Sequence, residues 1–404
     1  MSEWIKAEEY CISVFDGTHD TPRVTESGYK LVTSKNILSN TLDLNSAYFI
    51  SEEDFANINK RSKVKQYDIL FSMIGTVGSL YFETSDTIDY AIKNIGVFSC
   101  CDKEKAEWLY YYLQSSYAQQ YINRYLNGAV QKFLPLKGLR EFPVPQFNKE
   151  LHNRIKILLN IDQKIQTNNQ INKELESMAK TLYDYWFVQF DFPDQNGKPY
   201  KSSGGKMVYH PELKREIPEE WGVEKLENVA NITMGQSPKG SSYNETGEGI
   251  MFFQGSTDFG WRFPVARQYT TEPSRIAEED DILLSVRAPV GTLNIADTRC
   301  CIGRGLAAIN SKVRANSYIF NVMQDFKKLF DMMNSVGTTF GSITKDDLYS
   351  LQLVYPPTEL LMKFDKSVKS FDKEIKNRSR QNQELTQLRD WLLPMLMNGQ
   401  VKVE

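Results

Sequence analysis

The residues from which this 404-residue chain could build a catalytic centre are few, and their spacing argues against one. Only three histidines occur, His19, His152 and His210, and none lies near a second ligand type at metal spacing. There is no Cys-x-x-Cys, so a zinc site is not expected. "GGKM" at Gly204–Met207 lacks the leading Gly and following Ser or Thr of a phosphate loop, and "GRG" at Gly303–Gly305 lacks the third glycine of a dinucleotide or methyl-donor fingerprint. In "PDQNGK", Asp194 and Lys198 suit a metal-dependent nuclease, but the second carboxylate is missing and Asn196-Gly197 favours a turn. The one Pro-Pro, Pro356-Pro357, follows Tyr355 and lacks the order needed to hold the exocyclic amine of a flipped base. No cofactor or metal is expected.

Binding chemistry is better represented. Each half carries polar side chains in glycine-bearing loops, the types that reach base edges or phosphates. In the first half these are Thr18, His19 and Arg23 of "DGTHDTPR", Lys35 and Asn36 of "SKN", Thr76, and Lys93 and Asn94 of "AIKNIG". In the second they are Gln236 and Lys239 of "MGQSPKGSS", Gln254 and Ser256 of "QGST", Arg287 of "VRAP" and Arg304 of "IGRG". Lys93, Asn94, Arg287 and Arg304 are preferred. Arg can engage guanine bidentately and Asn adenine. The net charge of -3 gives no global sign of a nucleic-acid partner, so such binding must come from local patches.

The elements that must position these loops occur twice. "DILFSMIGTVGSL" (68–80) aligns with "DILLSVRAPVGTL" (281–293), where Asp68, Ile69, Leu70, Ser72, Val77, Gly78 and Leu80 face Asp281, Ile282, Leu283, Ser285, Val290, Gly291 and Leu293. The phrase reads as scaffold: Asp68 and Gly78 shape a turn, the aliphatic residues fill a core, and the copies differ at Met73–Thr76 against Val286–Pro289. Trp4 pairs with Trp221, Gly128 with Gly337, and Leu139 with Leu348. Segments such as "GYKLVTSKNI" and "GIMFFQGSTDFG" predict short strands broken by turns.

Each β-rich part is followed by a polar stretch with apolar residues at helical spacing and no interior Gly or Pro, Lys149 to Trp186 and Thr358 to Leu393. In the first, a heptad places Leu158, Ile165, Asn172, Ala179 and Trp186 at one seam position and Ile161, Asn168, Leu175 and Leu182 at the other. A shift of 210 gives Val368, Ile375 and Asn382, with Phe371, Arg378, Leu385 and Leu392. Asn172 and Asn382 then share a seam position where paired amides could fix helix register. The competing reading is that each helix merely covers its own domain. About 37 helical residues span roughly 55 Å, a plausible ruler. The expected order is a β-rich domain at 1–148, a helix at 149–190, a connector at 191–217, a second β-rich domain at 218–357, and a helix with its tail at 358–404.

Five cysteines, Cys11 and the vicinal pairs Cys100-Cys101 and Cys300-Cys301, do not form the spaced framework of a secreted domain. The vicinal pairs are expected to be small buried residues and the compartment the cytoplasm. No signal peptide and no membrane span is expected.

Two β-rich modules each followed by a long helix, with "MAKTLYDYWFVQFDFPDQNGKPYKSSGGKMVYHPELKREIPEEW" and "LTQLRDWLLPMLMNGQVKV", resemble the specificity subunit of type I restriction-modification systems. The resemblance spans essentially the whole chain and is weakest in the loops. It implies an α+β fold: two tandem target recognition domains, with the long helices packed as an antiparallel coiled-coil spacer in pseudo-two-fold symmetry. It also implies a non-catalytic subunit reading a bipartite site in double-stranded DNA, docked by methyltransferase subunits, two by symmetry, and by restriction subunits. A self-contained DNA-modifying enzyme or a protein-binding adaptor would be the alternatives.

Overall fold

The computed structural model describes residues 4–38, 41–126, 133–335 and 341–401. It falls into two compact units, Met1–Gln166 with Asn382–Glu404, and Thr167–Gln381. Each unit contains one β-rich module and the adjoining stretches of both long helices. The Gly128 and Gly337 pairing lies outside the described residues.

The repeat is a repeat of topology. The first module's central sheet is antiparallel in the order Ser13–Asp16, Ile95–Ser99, Ile69–Ser72, Leu80–Phe82. The second has Ala230–Met234, Leu306–Ser311, Ile282–Ser285, Leu293–Ile295 in the same order. Beside each lies a parallel pair, Tyr29–Thr33 with Tyr90–Lys93 and Ile250–Phe253 with Cys300–Ile302. A short antiparallel pair closes each module, Trp4–Lys6 with Pro143–Pro145 and Gly222–Lys225 with Gln352–Tyr355. Leu139 and Leu348, paired in the sequence, are both fully buried on short equivalent helices, Leu136–Arg140 and Lys345–Tyr349.

The need for apolar residues at every position of "ILF" and "ILL" follows from what the strand separates. Successive strand side chains point to opposite faces. Ile69 and Phe71 join one hydrophobic cluster while Leu70 joins another, and Ile282 and Leu284 likewise divide from Leu283. With both faces covered, alternation with polar residues would bury an unpaired group. The leading Asp is equally determined. Asp68 accepts from the Lys65 N–H at 2.8 Å and Asp281 from the Glu278 N–H at 2.9 Å, and the residue before each, Tyr67 or Asp280, has φ of 68°. At the far end the N–H of Gly78 donates to Ser72 O at 3.0 Å, and that of Gly291 to Ser285 O at 2.8 Å. These glycines have φ of 95° and 86°, the left-handed region that glycine enters without strain.

Burial pushes the Asp68 carboxyl up to about 6, and raises that of Asp281 from the ordinary value for the same reason. A raised carboxyl means the native state holds its proton more tightly than the unfolded chain, so stability falls as pH climbs from about 4 through 6. At one pKa unit per 1.36 kcal/mol, Asp68 accounts for roughly 3 kcal/mol of that fall. Asp68→Asn keeps an acceptor for Lys65. The stability difference between variant and wild type, followed by denaturant titration, is expected to move in the variant's favour across that window; a pH-independent difference would contradict it.

The modules differ around this common scaffold. The first inserts a helix, Glu52–Ser62, capped by Ser51, and divides the next helical region into Lys103–Leu113 and Ser116–Tyr125; the second has one helix there, Asn316–Ser335. Each break in the first module carries its own N-cap, Asp102 and Ser115.

The first long helix runs Lys149–Tyr183 and ends in a single π turn over Asp184–Val188. The second runs Thr358–Met397, beyond the expected end, carrying Pro394 in its last turn. The heptad is visible in burial: Leu158, Ile161, Asn168, Asn172, Trp186, Val368 and Ile375 are buried. Within the second unit the helices run antiparallel, Asn168 Nδ2 donating to Gln381 Oε1 at 2.8 Å and Asn172 Nδ2 to Ser379 Oγ at 3.4 Å. The seam partner of Asn172 is thus Ser379; Asn382 belongs to the other unit. No helix among the described residues is long and apolar enough to cross a membrane. Cys100, Cys300 and Cys301 are buried as expected, whereas Cys101 is exposed, at a φ of 53°.

Candidate nucleic-acid interface

In both modules the strand of the parallel pair passes through a tight turn into the central sheet, and the preferred binding residues sit on that turn. In the first, Lys93 ends one strand, Asn94 turns at φ 54°, and Ile95 starts the next. A glycine brings a second loop against it. The N–H of Gly17 donates to Ile95 O at 2.8 Å and that of Thr18 to Ile92 O at 3.1 Å. A Cβ on Gly17 would lie 2.4 Å from Ile92 O, so only glycine lets the loop approach. In the second module the N–H of Gly235 donates to Leu306 O at 2.9 Å and that of Gln236 to Ile302 O at 3.0 Å. A Cβ on Gly235 would meet Gly303 O at 2.1 Å. "GRG" is therefore a packing motif that displays Arg304.

Around the first turn lies a cleft of about 730 Å³ lined by Lys35, Thr76, Lys93 and Asn94, with Thr21, Tyr48 and Ile74 among its other walls. Lys93 Nζ bonds Thr21 Oγ1. His19, outside this lining, bonds Asn94 Oδ1 through Nδ1 at 2.8 Å, while its Nε2 is 3.0 Å from Asp16. Asp16 also faces Arg61 at 3.3 Å. The Thr18 hydroxyl accepts from the Asp20 N–H at 3.2 Å, shaping the loop, and Arg23 is exposed on it.

Asn36 does not belong to this surface. It is 4% exposed; its Oδ1 accepts from the N–H and hydroxyl of Thr33, and its Nδ2 donates to Asp43 O and Ser46 Oγ. With every amide atom engaged internally it cannot read a base, which corrects the sequence expectation. "SKN" is a 3-10 turn capped by its own asparagine.

In the second module Gln254 and Arg304 flank the Gly303 turn. Gln254 Oε1 accepts from Ser237 Oγ at 2.9 Å, and the N–H of Gly305 donates to Gln254 O at 3.1 Å. Gln236 and Lys239 are exposed on the adjoining loop, Lys239 standing 3.8 Å from Glu272, and Ser256 opens the 3-10 turn Ser256–Asp258. Arg287 is exposed on the repeated phrase. Among the described residues, neither Arg287 nor Arg304 has a side-chain hydrogen bond or ion pair, leaving both guanidinium groups available. The sequence reading missed Tyr48, 59% exposed in the first cleft, and Arg262, buried although its chain neighbour Trp261 is exposed. An exposed aromatic flanked by strand residues carries no pattern distinct from core, and the ion-pair partners of Arg262 lie far from it along the chain.

The nuclease-like cluster resolves as a turn: Asp194 Oδ1 accepts from the N–H groups of Asn196 and Lys198, both at 2.8 Å, and Gly197 has φ of 75°. That carboxylate shapes backbone. No group of His, Cys, Asp or Glu able to hold a metal ion occurs among the described residues.

Fold and surface together define a two-module recognition protein. Residues 20–177 and again 218–387 match the family described as type I restriction modification DNA specificity domain. A specificity subunit of a type I restriction enzyme designated MjaX, from Methanocaldococcus jannaschii, is 33% identical over 311 residues, 75% of this chain and 70% of that one. A second from the same organism, MjaIX, is 26% identical over 318 residues, 74% and 70% of the two chains. The crystal structure of a type I system S subunit from M. genitalium shares the fold, with a TM-score of 0.56 at 15% identity over 98% of this chain and 96% of that one. The chain belongs to the type I restriction-modification specificity subunits, a non-catalytic class, and carries two DNA specificity domains.

Proposed function

We propose that each module reads one half of a split site in duplex DNA and that the long helices hold the two readings at a fixed separation. The observation that carries this is the same central-sheet order in both modules with different side chains on the corresponding turn: Lys93 and Asn94 in one, Arg304 between its two glycines in the other. One scaffold used twice with different contact residues suits two different half-sites. A module engages only a few bases, and linking two makes the second contact effectively intramolecular, provided the link is stiff enough to match the DNA. Helices meet that need better than a Gly/Ser chain.

The loop residues named above for each module, Asn36 excepted, act as base or phosphate contacts in this reading. Methyltransferase subunits, two by the repeat, and restriction subunits supply the catalysis, and the complex works in the cytoplasm where the DNA lies. The chain's mild acidity fits partners that contribute basic surface around the duplex.

The test is co-expression with the methyltransferase partner followed by methylome sequencing. Adenine methylation at a bipartite motif is expected; methylation at a continuous motif, or at random, would overturn the reading.

A further inference from the structure

Arg262 is the most completely enclosed cation in the second unit, 6% exposed, and it lies on a module loop rather than on a helix. Its Nη1 is 3.2 Å from Glu176 Oε1 on the first long helix, its Nη2 bonds Asp372 on the second, and its guanidinium carbon lies 4.6 Å from the Phe320 ring centroid. Asp372 also accepts from Ser317 Oγ at 3.0 Å, on the module's own helix. The loop itself is pinned: the Ile295 N–H donates to Arg262 O at 2.8 Å, and Asn294 Nδ2 to Gly260 O at 3.0 Å. One side chain therefore ties module, first helix and second helix at a single point.

The repeat gives this point a counterpart. Asp162 stands 210 residues before Asp372, the offset that relates Leu158 to Val368 and Ile165 to Ile375. Asp162 is also enclosed, accepting from the Tyr111 hydroxyl at 2.5 Å and from Arg389 Nη1 at 2.9 Å. The carboxylate is kept in both units while its cation comes from different places. Arg389 reaches Asp162 from the opposite helix; 210 residues before Arg389 stands Ala179, which carries no charge, and the module loop supplies Arg262 instead. Burying such a cluster is a poor route to stability, and its best attested use is to select one arrangement over near alternatives. Two directed bonds from a planar guanidinium fix orientation as well as contact.

We propose that Arg262, with Asp372, is a positioning residue that locks the second recognition module at one angle on the helices, and so restricts the gap accepted between the half-sites. Asp162 with Tyr111 holds the first module in the corresponding way. The proposal rests on the two-half-site reading above.

The experiment uses the complex with its methyltransferase partner and a plasmid library in which both half-sites are constant and the gap varies by single base pairs. Wild type is expected to methylate one gap. Arg262→Met is expected to raise methylation at gaps one base pair shorter or longer at least tenfold, with the bases required in each half unchanged; retention of the single gap overturns the proposal. Should Arg262→Met abolish all methylation, Arg262→Lys decides. It keeps a charge beside Asp372 but cannot form the two-armed bridge, so a broadened gap supports the proposal and a wild-type gap overturns it. A wild-type complex that methylates an unsplit motif overturns the functional reading, and the proposal with it; a split motif whose gap ignores Arg262 overturns the proposal alone.

Discussion

Trp221→Ala is expected to remove about 3–5 kcal/mol of stability from the second unit, the range for emptying a buried aromatic site. Trp4→Ala, at the tryptophan that the sequence repeat pairs with it, is expected to cost well under about 1 kcal/mol, as exposed substitutions do. The structure does not keep the sequence pairing of the two tryptophans: Trp4 begins the strand Trp4–Lys6, whereas Trp221 lies ahead of the equivalent strand Gly222–Lys225, and Trp221 is 7% exposed while Trp4 is 52% exposed. The difference comes from the end of the first long helix and the start of the connector. Trp221 stands 5.9 Å, centroid to centroid, from Phe187 within the π turn, and 5.3 and 5.1 Å from Phe190 and Phe192, which follow it. Trp4 has Tyr112 at 6.1 Å. Calorimetry of the full chain reads this directly. At about 2–4 °C per kcal/mol for domains of this size, Trp221→Ala should lower one thermal transition by roughly 10 °C. Trp4→Ala should leave both transitions nearly in place, and equal shifts from the two variants would refute the account.

That asymmetry marks the boundary of what the sequence could reveal. The repeat, the two long helices and their seam were legible because they are periodic, and Leu158, Ile161, Val368 and Ile375 are buried where the heptad places them. The scaffold role of Asp68 and Gly78 was legible because few residues can occupy a left-handed turn or cap it. Asn36 was misread for a physical reason: an asparagine that caps its own turn and one that reads a base share the same composition and the same loop setting. What separates them is Asp43 and Ser46, whose proximity only folding creates. Arg262 was invisible for a similar reason, since its partners Glu176 and Asp372 lie 86 and 110 residues away along the chain. Non-local ion pairs leave no local pattern. Lys93, Asn94, Arg287 and Arg304 were singled out because they lie beside the repeated phrase, and the structure places Lys93, Asn94 and Arg304 on equivalent turns of the two modules.

Those turns lead to the expectation with the largest effect on function. Arg304→Ala and Arg287→Ala are expected each to weaken recognition by about 1–3 kcal/mol, roughly five- to 150-fold, the loss for a guanidinium that engages a base edge. The loss should relax the methylation motif at positions in one half only. Lys93→Ala and Asn94→Ala should relax the other half. Because Asn94 Oδ1 is already held by His19, its free edge is the Nδ2 donor, so His19→Ala should alter the base preferred at the Asn94 position and not merely weaken it. Residues that touch only phosphate would behave differently, lowering methylation at every site alike and flattening its dependence on salt. The methylomes of these alanine variants separate the cases. Arg304 and Asn94 occupy corresponding turns of two different compact units, so their losses should add in the double variant. Relaxation of both halves by a single substitution would mean that the units do not read independently.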